Sequence, residues 1–278
     1  MYWITGAEGQ LGSMLAKRCT SAVCSGGDVD IADMISLQKF AKKHPEITHI
    51  INAAAFSKVD AAEELRAEAY RANVIGPDNL MHLADEIGAK LTHISTDYVF
   101  AGDGKRPLTE EDMAGPCNYY GKTKLQGEKR MGPNALVIRT SWLFGGKSGN
   151  FIAQLLKLLM TQKEIHLAND QWSRFTYVPD LVEAILLMQN ASGMYHFANA
   201  GVATKYDFGV ALREAALALG MPVITQSIVP VPGAFFPAPC KRPTYSALDT
   251  TKIEKHLSIR HWQKTLKDFL CAQQLAYS

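Results

Sequence analysis

A tyrosine and a lysine stand four residues apart, in the segment Tyr120-Gly121-Lys122-Thr123-Lys124. On a helix this spacing puts both side chains on one face, one turn apart. A phenol with its ordinary pKa of about 10 is a poor acid–base group at neutral pH, and a neighbouring ammonium group favours its ionised form. Of the ten tyrosines only Tyr120 has a lysine at this spacing. The pair predicts proton transfer, and the alternative is a surface tyrosine beside a solvated lysine.

A glycine-rich segment lies close to the N-terminus. The residues Gly6-Ala7-Glu8-Gly9-Gln10-Leu11-Gly12 follow an apolar run and precede a helical pattern. Glycine permits a tight turn and lets the backbone approach a pyrophosphate, and the amides at the start of the next helix then face the anion. The strand–turn–helix position favours dinucleotide binding over a plain structural turn.

The residue that would contact the adenosine ribose is ambiguous in the sequence. An acid about 20 residues beyond the glycines is usual with NAD, and an arginine with NADP. Asp28, Asp30 and Asp33 lie near that distance, but the expected strand end Ser25-Gly26-Gly27 holds neither an acid nor an arginine. Asp33 also suits a helix N-cap. The choice between NAD and NADP therefore stays open at this point.

Three further segments end predicted strands at the edge where α/β sheets hold ligands. Small side chains at Asn52-Ala53-Ala54-Ala55 let a cofactor lie against the backbone, or else let a strand pack on a helix. Strand alternation lets only one of Ser95 and Thr96 point into a cleft. The flat ring of Trp142 is expected either to pack on a base or sugar or to pack in the core. Isolated cations at Arg174 and at Lys241-Arg242 are candidates for binding a diphosphate, or for surface ion pairs.

Short apolar runs alternate with helical patterns over the first part of the chain. This alternation predicts a doubly wound parallel α/β sheet over residues 1–165, with right-handed crossovers. The pattern loosens afterwards and predicts a smaller C-terminal α+β substrate lobe over residues 166–278, with some segments interleaved. Helices are expected there at Pro179–Gln189, Lys205–Leu219 and Thr250–His256.

Composition excludes several classes of protein. The net charge of +2 among 278 residues argues against a dedicated nucleic-acid binder. No apolar stretch approaches the roughly 20 residues of a membrane helix, and no secretory signal is visible. Five scattered cysteines without a CxxC pair indicate reduced thiols in a cytoplasmic protein. Neither a metal motif nor a nucleophilic triad is present.

Taken together, the glycine loop, the small strand end and the Tyr120/Lys124 pair resemble an extended short-chain dehydrogenase/reductase. The order and spacing of the motifs are similar to those of the dTDP-4-dehydrorhamnose reductases over nearly the whole chain. The matching segments are Gly9-Gln10-Leu11-Gly12, Asn52-Ala53-Ala54-Ala55 with Val59-Asp60, Ser95-Thr96-Asp97-Tyr98-Val99-Phe100, Tyr120-Gly121-Lys122-Thr123-Lys124, Arg139-Thr140-Ser141-Trp142, Asn169-Asp170-Gln171 and Lys241-Arg242-Pro243.

The resemblance implies a reaction and a set of roles. A reduced nicotinamide, NADH or NADPH, would reduce the C4 keto group of a dTDP-6-deoxy-4-keto-hexose to give dTDP-L-rhamnose, a precursor of cell-envelope glycans. The catalytic residues would be Thr96, Tyr120 and Lys124. The cofactor would be bound by Gly6, Gly9, Gln10, Leu11, Gly12, Asp30, Ala54, Ala55, Tyr120 and Lys124. The nucleotide-sugar would be contacted by Thr96, Asp97, Trp142 and Arg242.

Two alternative functions stay open beside this resemblance. Trp172–Phe175 replaces a Gly and Pro common in the family, which allows another nucleotide-sugar 4-ketoreductase or epimerase. A non-catalytic nucleotide-binding partner, resembling the regulatory subunit of methionine adenosyltransferase, is the second alternative. Some relatives bind a metal at a dimer contact through a glutamate of the first helix, but Ser13-Met14-Leu15 offers none, so no metal is expected. A homodimer is possible.

Overall fold

The computed structural model describes residues 1–146 and 151–277, with side chains up to residue 273. The strands follow the apolar runs and are short. They are β1 (Tyr2–Thr5), β2 (Ala22–Cys24), β3 (His49–Asn52), β4 (Lys90–Thr96), β5 (Leu136–Thr140), β6 (Leu143–Phe144), β7 (Glu164–Ala168), β8 (Ser173–Arg174), β9 (Thr176–Tyr177), β10 (Gly193–His196), β11 (Val202–Ala203) and β12 (Ser227–Val231).

The helices alternate with these strands. They are α1 (Gln10–Arg18), α2 (Met34–Lys43), α3 (Arg66–Tyr70), α4 (Gly76–Ile87), α5 (Tyr119–Glu128), α6 (Phe151–Thr161), α7 (Val178–Leu187), α8 (Lys205–Ala218) and α9 (Trp262–Tyr277). A π-helical turn at Arg71–Ile75 joins α3 to α4. Among the described residues no helix has the length and apolar character needed to cross a membrane.

Six parallel strands form the central sheet, in the order β10-β5-β4-β3-β1-β2. Successive strand residues serve opposite faces: Trp3 packs in a cluster with α2 and α4, whereas Ile4 packs in a cluster with α1 and α7. Both faces are therefore covered, and the predicted doubly wound parallel sheet is confirmed. The strand order reverses between β1 and β3, so the chain segments that follow these two strands lie side by side at the carboxyl edge.

A second core lies in the C-terminal half, where Phe144, Phe208 and Phe269 pack together. The parallel pair β7 and β12 covers α8 there. Two helices of this half, α6 and α9, were not expected from the sequence, and the helix expected at Thr250–His256 is only a 3₁₀ turn at Ile253–Lys255. Strand β10 returns to the central sheet and α7 packs against α1. The division at residue 165 stays a prediction.

Candidate active site

The glycine loop closes against the end of β3. Gly6 has φ +63°, and a Cβ there would come within 2.7 Å of the Ala54 backbone, while a Cβ on Gly12 would lie 2.1 Å from the Gly6 carbonyl oxygen. Gly9 is different, because its Cβ would meet only the Gly6 oxygen, at 3.3 Å. Helix α1 begins without a capping side chain and without an acid in its first turn. This exposed backbone fits the pyrophosphate of a dinucleotide.

Asn52 links the glycine loop to the catalytic strand. Its Oδ1 accepts hydrogen bonds from Thr5 Oγ1 (2.8 Å) and from the Ala54 backbone N–H (3.1 Å). Because a backbone N–H needs an acceptor, the amide orientation is fixed and Nδ2 faces His93 Nδ1 at 3.1 Å. The ends of β1 and β3 and the middle of β4 are thereby held in one hydrogen-bonded chain.

The side chains of Thr96 and Tyr120 interact at the end of β4, where the Thr96 hydroxyl acts to lower the pKa of the Tyr120 phenol. Thr96, which is 8% exposed, also donates to Asp97 Oδ1 at 3.1 Å and accepts from the Tyr98 backbone N–H at 3.2 Å. Burial raises the pKa of Tyr120 well above its ordinary value, with a smaller opposing effect of the Thr96 hydroxyl. Tyr120 is therefore a protonated phenol at neutral pH, able to donate rather than to accept a proton.

Helix α5 is anchored at both ends, and this anchoring places Tyr120. At its start Asn118 accepts from the Gly121 backbone N–H at 2.8 Å. A Cβ on Gly121 would lie 2.1 Å from the Tyr98 carbonyl oxygen, so only glycine lets the helix approach so closely. At its end Glu128 receives two hydrogen bonds from buried Arg139, at 2.8 and 2.7 Å. Bidentate pairs of this kind fix geometry as well as adding energy.

Lys124 lies one turn after Tyr120 and is 2% exposed. Its ammonium donates to the Ile94 carbonyl at 2.6 Å and stands 3.5 Å from His93 Nε2. Burial lowers its pKa to about 8, although Glu128 opposes that shift. The expectation that this cation favours ionised Tyr120 stays a prediction, since the ammonium here binds the strand carbonyl and burial raises the pKa of Tyr120.

The carboxylate of Asp97 is buried and hydrogen-bonded to neighbouring hydroxyl groups. It is 1% exposed, and its Oδ2 accepts from Ser246 (2.5 Å) and Ser173 (3.3 Å). Burial raises its pKa to about 6, against the opposing effect of these hydroxyls and of Thr96. The contact with the nucleotide-sugar expected for Asp97 stays a prediction, and the geometry favours a supporting role beneath Thr96.

A cavity of about 800 Å³ is lined by three cationic side chains, those of Lys205, Lys241 and Arg242, whereas Thr96, Tyr120 and Lys124 are not among its lining residues. Arg242 lines it, pairs with Asp60 at 2.6 Å and reaches Tyr98 Oη at 3.4 Å. The Tyr98 ring stands 5.9 Å from the Tyr120 ring, so Tyr98 lies between the cavity residue Arg242 and Tyr120. Arg174 is not among the cavity residues and donates to Thr250 Oγ1 at 2.8 Å.

Lys205 is a cavity cation that the sequence analysis missed. Its Nζ stands 5.6 Å from the Trp142 ring and 5.2 Å from the Phe151 ring. Burial lowers its pKa to about 8, with a further lowering by Arg242 and a partial offset by Asp60. The available signal was a lysine in the first turn of a helix, after the cap Thr204, where the helix dipole disfavours a cation.

Trp142 packs at the border of the C-terminal core, and the contact with the nucleotide-sugar expected for it stays a prediction. Its ring meets Phe175 edge-on at 4.7 Å, at the border of the C-terminal core, and its other neighbour is Lys205 in the cavity. Its φ of +41° is left-handed, an outlier for a bulky residue. Such backbone strain costs on the order of 1–3 kcal/mol and concentrates at functional sites.

The remaining expected cofactor residues lie around the glycine loop. Ala54 contacts Gly6, and Ala55 is exposed beside it. Asp30 is exposed and paired with Arg71 at 2.5 Å, which lowers the pKa of that carboxyl. No group of His, Cys, Asp or Glu side chains within residues 1–146 and 151–273 is arranged to hold a metal ion.

The glycine loop at the carboxyl edge of the doubly wound sheet is open to a pyrophosphate, and Thr96, Tyr120 and Lys124 follow at the same edge. This arrangement defines a nicotinamide-dependent oxidoreductase of the short-chain dehydrogenase/reductase class. The family model described as RmlD substrate binding domain matches residues 1–275. The chain belongs to this family, as its resemblance to the dTDP-4-dehydrorhamnose reductases predicted.

Individual relatives agree with that assignment. The spore coat polysaccharide biosynthesis protein SpsK of Bacillus subtilis is 34% identical, over 96% of this chain and 95% of its own length. The dTDP-4-dehydrorhamnose reductase of Mycobacterium tuberculosis is 35% identical, over 97% and 92%. The solved dTDP-4-dehydrorhamnose reductase of Bacillus anthracis, in complex with NADP, is 31% identical, with a TM-score of 0.90 over 98% of each chain.

Proposed function

We propose that this protein reduces the C4 keto group of dTDP-4-dehydro-L-rhamnose to give dTDP-L-rhamnose, with NADH or NADPH as the reductant. The observation that supports this most directly is the hydroxyl pair of Thr96 and Tyr120, one helical turn from Lys124, at the carboxyl edge of the sheet. The curated relative from Mycobacterium tuberculosis is named for this reaction and aligns over almost the whole chain.

The chain's own residues supply the proton and its placement. Reduction of a ketone at C4 leaves an alkoxide that must be protonated, and a bound reduced nicotinamide supplies the hydride. Tyr120 is the proton donor, because burial keeps its phenol protonated at neutral pH. Thr96 is the second hydroxyl within reach of the same oxygen and stabilises its developing charge.

Lys124 has a different part in this proposal. Its ammonium is held on the Ile94 carbonyl at 2.6 Å, close to the strand end that Asn52 links to the glycine loop. In this proposal it donates to the ribose hydroxyls of the nicotinamide half of the cofactor. Its positive charge also stabilises the phenolate that Tyr120 becomes once it has donated its proton.

The cavity suits a nucleoside diphosphate attached to a sugar. Arg242 and Lys205 provide positive charge for the two phosphates. Apolar groups such as Phe151 and Phe236 line the same cavity and offer flat surfaces to a base. The proposal includes a homodimer, which the sequence allows, and a location in the cytoplasm, which the scattered cysteines indicate. Light scattering measures the first property and cell fractionation the second.

The decisive test combines a turnover assay with product analysis. Purified protein is given NADH or NADPH and dTDP-4-dehydro-L-rhamnose, cofactor oxidation is followed by absorbance, and the sugar product is identified by NMR. We expect dTDP-L-rhamnose, and slower reduction of the UDP-linked keto-sugar. Tight cofactor binding without oxidation of any 4-keto nucleotide-sugar would contradict this function and favour a non-catalytic nucleotide-binding role.

A further inference from the structure

Glu8 lies where the glycine loop meets the end of β2. The Ala7 backbone N–H donates to the Ser25 carbonyl at 3.0 Å, which joins the two loops. A Cβ on Gly26 would lie 2.7 Å from both Cδ and Oε1 of Glu8, so the carboxylate rests directly on this glycine. Glu8 is exposed and makes no ion pair or hydrogen bond within the part of the chain that the structure describes.

The end of the second strand is where doubly wound folds place the adenosine ribose of a dinucleotide. At this ribose the two nicotinamide cofactors differ: NADH carries a 2′-hydroxyl, and NADPH carries a 2′-phosphate. A carboxylate accepts a hydrogen bond from the hydroxyl but repels the phosphate. The position of Glu8 therefore bears on the choice between the two cofactors.

The charges around Glu8 also disfavour a 2′-phosphate. The two loops, Gly6–Gly12 and Ser25–Asp33, together contain Glu8, Asp28, Asp30 and Asp33, and contain no lysine, arginine or histidine. Arg71 reaches this region from the π-helical turn, but its guanidinium is paired with Asp30 at 2.5 Å. A 2′-phosphate would have to compete with Asp30 for that cation.

We propose that this chain prefers NADH to NADPH, and that Glu8 disfavours the 2′-phosphate. The inference rests on the proposed function, because it concerns the cofactor of that same site. It is not a property of the whole family, since the Bacillus anthracis relative was solved with NADP. It also answers the question of NAD or NADP, which the glycine motif and the acids about 20 residues beyond it leave open in the sequence.

The test measures binding rather than turnover. Dissociation constants of NADH and NADPH are obtained by calorimetry for the wild-type protein, for Glu8→Gln and for the remote exposed control Glu64→Gln. We expect the wild type to bind NADH about tenfold more tightly or better, as one repulsive charge pair near a surface predicts. Glu8→Gln should tighten NADPH binding about tenfold and leave NADH within about twofold. Higher salt should narrow the wild-type difference.

The following results would overturn the inference. A wild type that binds NADPH as tightly as NADH contradicts the preference itself. An NADH preference that Glu8→Gln leaves unchanged, or that Glu64→Gln changes equally, removes the role of Glu8. Failure to bind either cofactor contradicts the proposed function as well, whereas tight binding of NADPH alone contradicts only this inference.

Discussion

The catalytic groups and the cavity beside them are held by different kinds of structure. Thr96 stands at the end of a central strand and Tyr120 in the first turn of α5, a helix anchored by Asn118 and by the Glu128–Arg139 pair. The cavity instead collects residues from loops and helix ends across the chain. A rigid frame suits proton transfer, which needs fixed geometry, and loops suit substrate selection, which varies between relatives.

If this contrast is correct, a change in the rigid part should damage turnover and not binding. Tyr120→Phe removes only the phenolic oxygen, and general acid catalysis contributes about 10²–10⁴-fold. We expect kcat to fall by about that factor while the dissociation constants of cofactor and substrate change little. The matched control is Tyr119→Phe, on the neighbouring residue of the same helix, which should keep its wild-type kcat. Wild-type turnover by Tyr120→Phe would show that another group donates the proton.

A change in the cavity should have the opposite signature. A hydrogen bond to a charged group contributes about 1.5–3 kcal/mol, so Lys205→Met and Arg242→Met should each raise KM by about 10–100-fold with a small change in kcat. If these cations bind the diphosphate, inhibition by dTDP should weaken more than inhibition by dTMP. Lys129→Met, an exposed charge at the far end of α5, is the control. A decrease in kcat with an unchanged KM would show that Lys205 and Arg242 act in the chemical step and not in substrate binding.

The sequence predicted the rigid part well because its signals are local. The apolar runs located β1 to β5, and the contiguous segments around Thr96, Tyr120 and the glycines located the catalytic edge. Asp97 shows the limit, since its closed environment depends on hydroxyls of Ser173 and Ser246, 76 and 149 residues away. The same holds for Lys205, whose neighbours in the cavity are distant in the chain. No local pattern records such contacts.

The smallest predicted effect concerns the energetic cost of burying Lys124 in the rigid part. Its pKa in the folded protein is about 8, below the value of about 10.4 in an unfolded chain. Between these two pH values the unfolded state binds more protons, so this lysine makes the free energy of unfolding rise with pH. Lys124→Met cannot titrate. The stability of the wild type relative to this variant should therefore increase by about 1–2 kcal/mol from pH 7.5 to 9.5.

Denaturant unfolding at several pH values measures this difference. Lys205 also has a lowered pKa, and burial raises the pKa values of Tyr120 and Cys19, but these groups are shared by both proteins and cancel in the comparison. Lys122→Met, an exposed lysine of the same helix, should differ from the wild type by a constant amount over the range. A constant difference for Lys124→Met would mean that its ammonium keeps an ordinary pKa. The frame around Tyr120 would then be more open to water than the 2% exposure of Lys124 indicates.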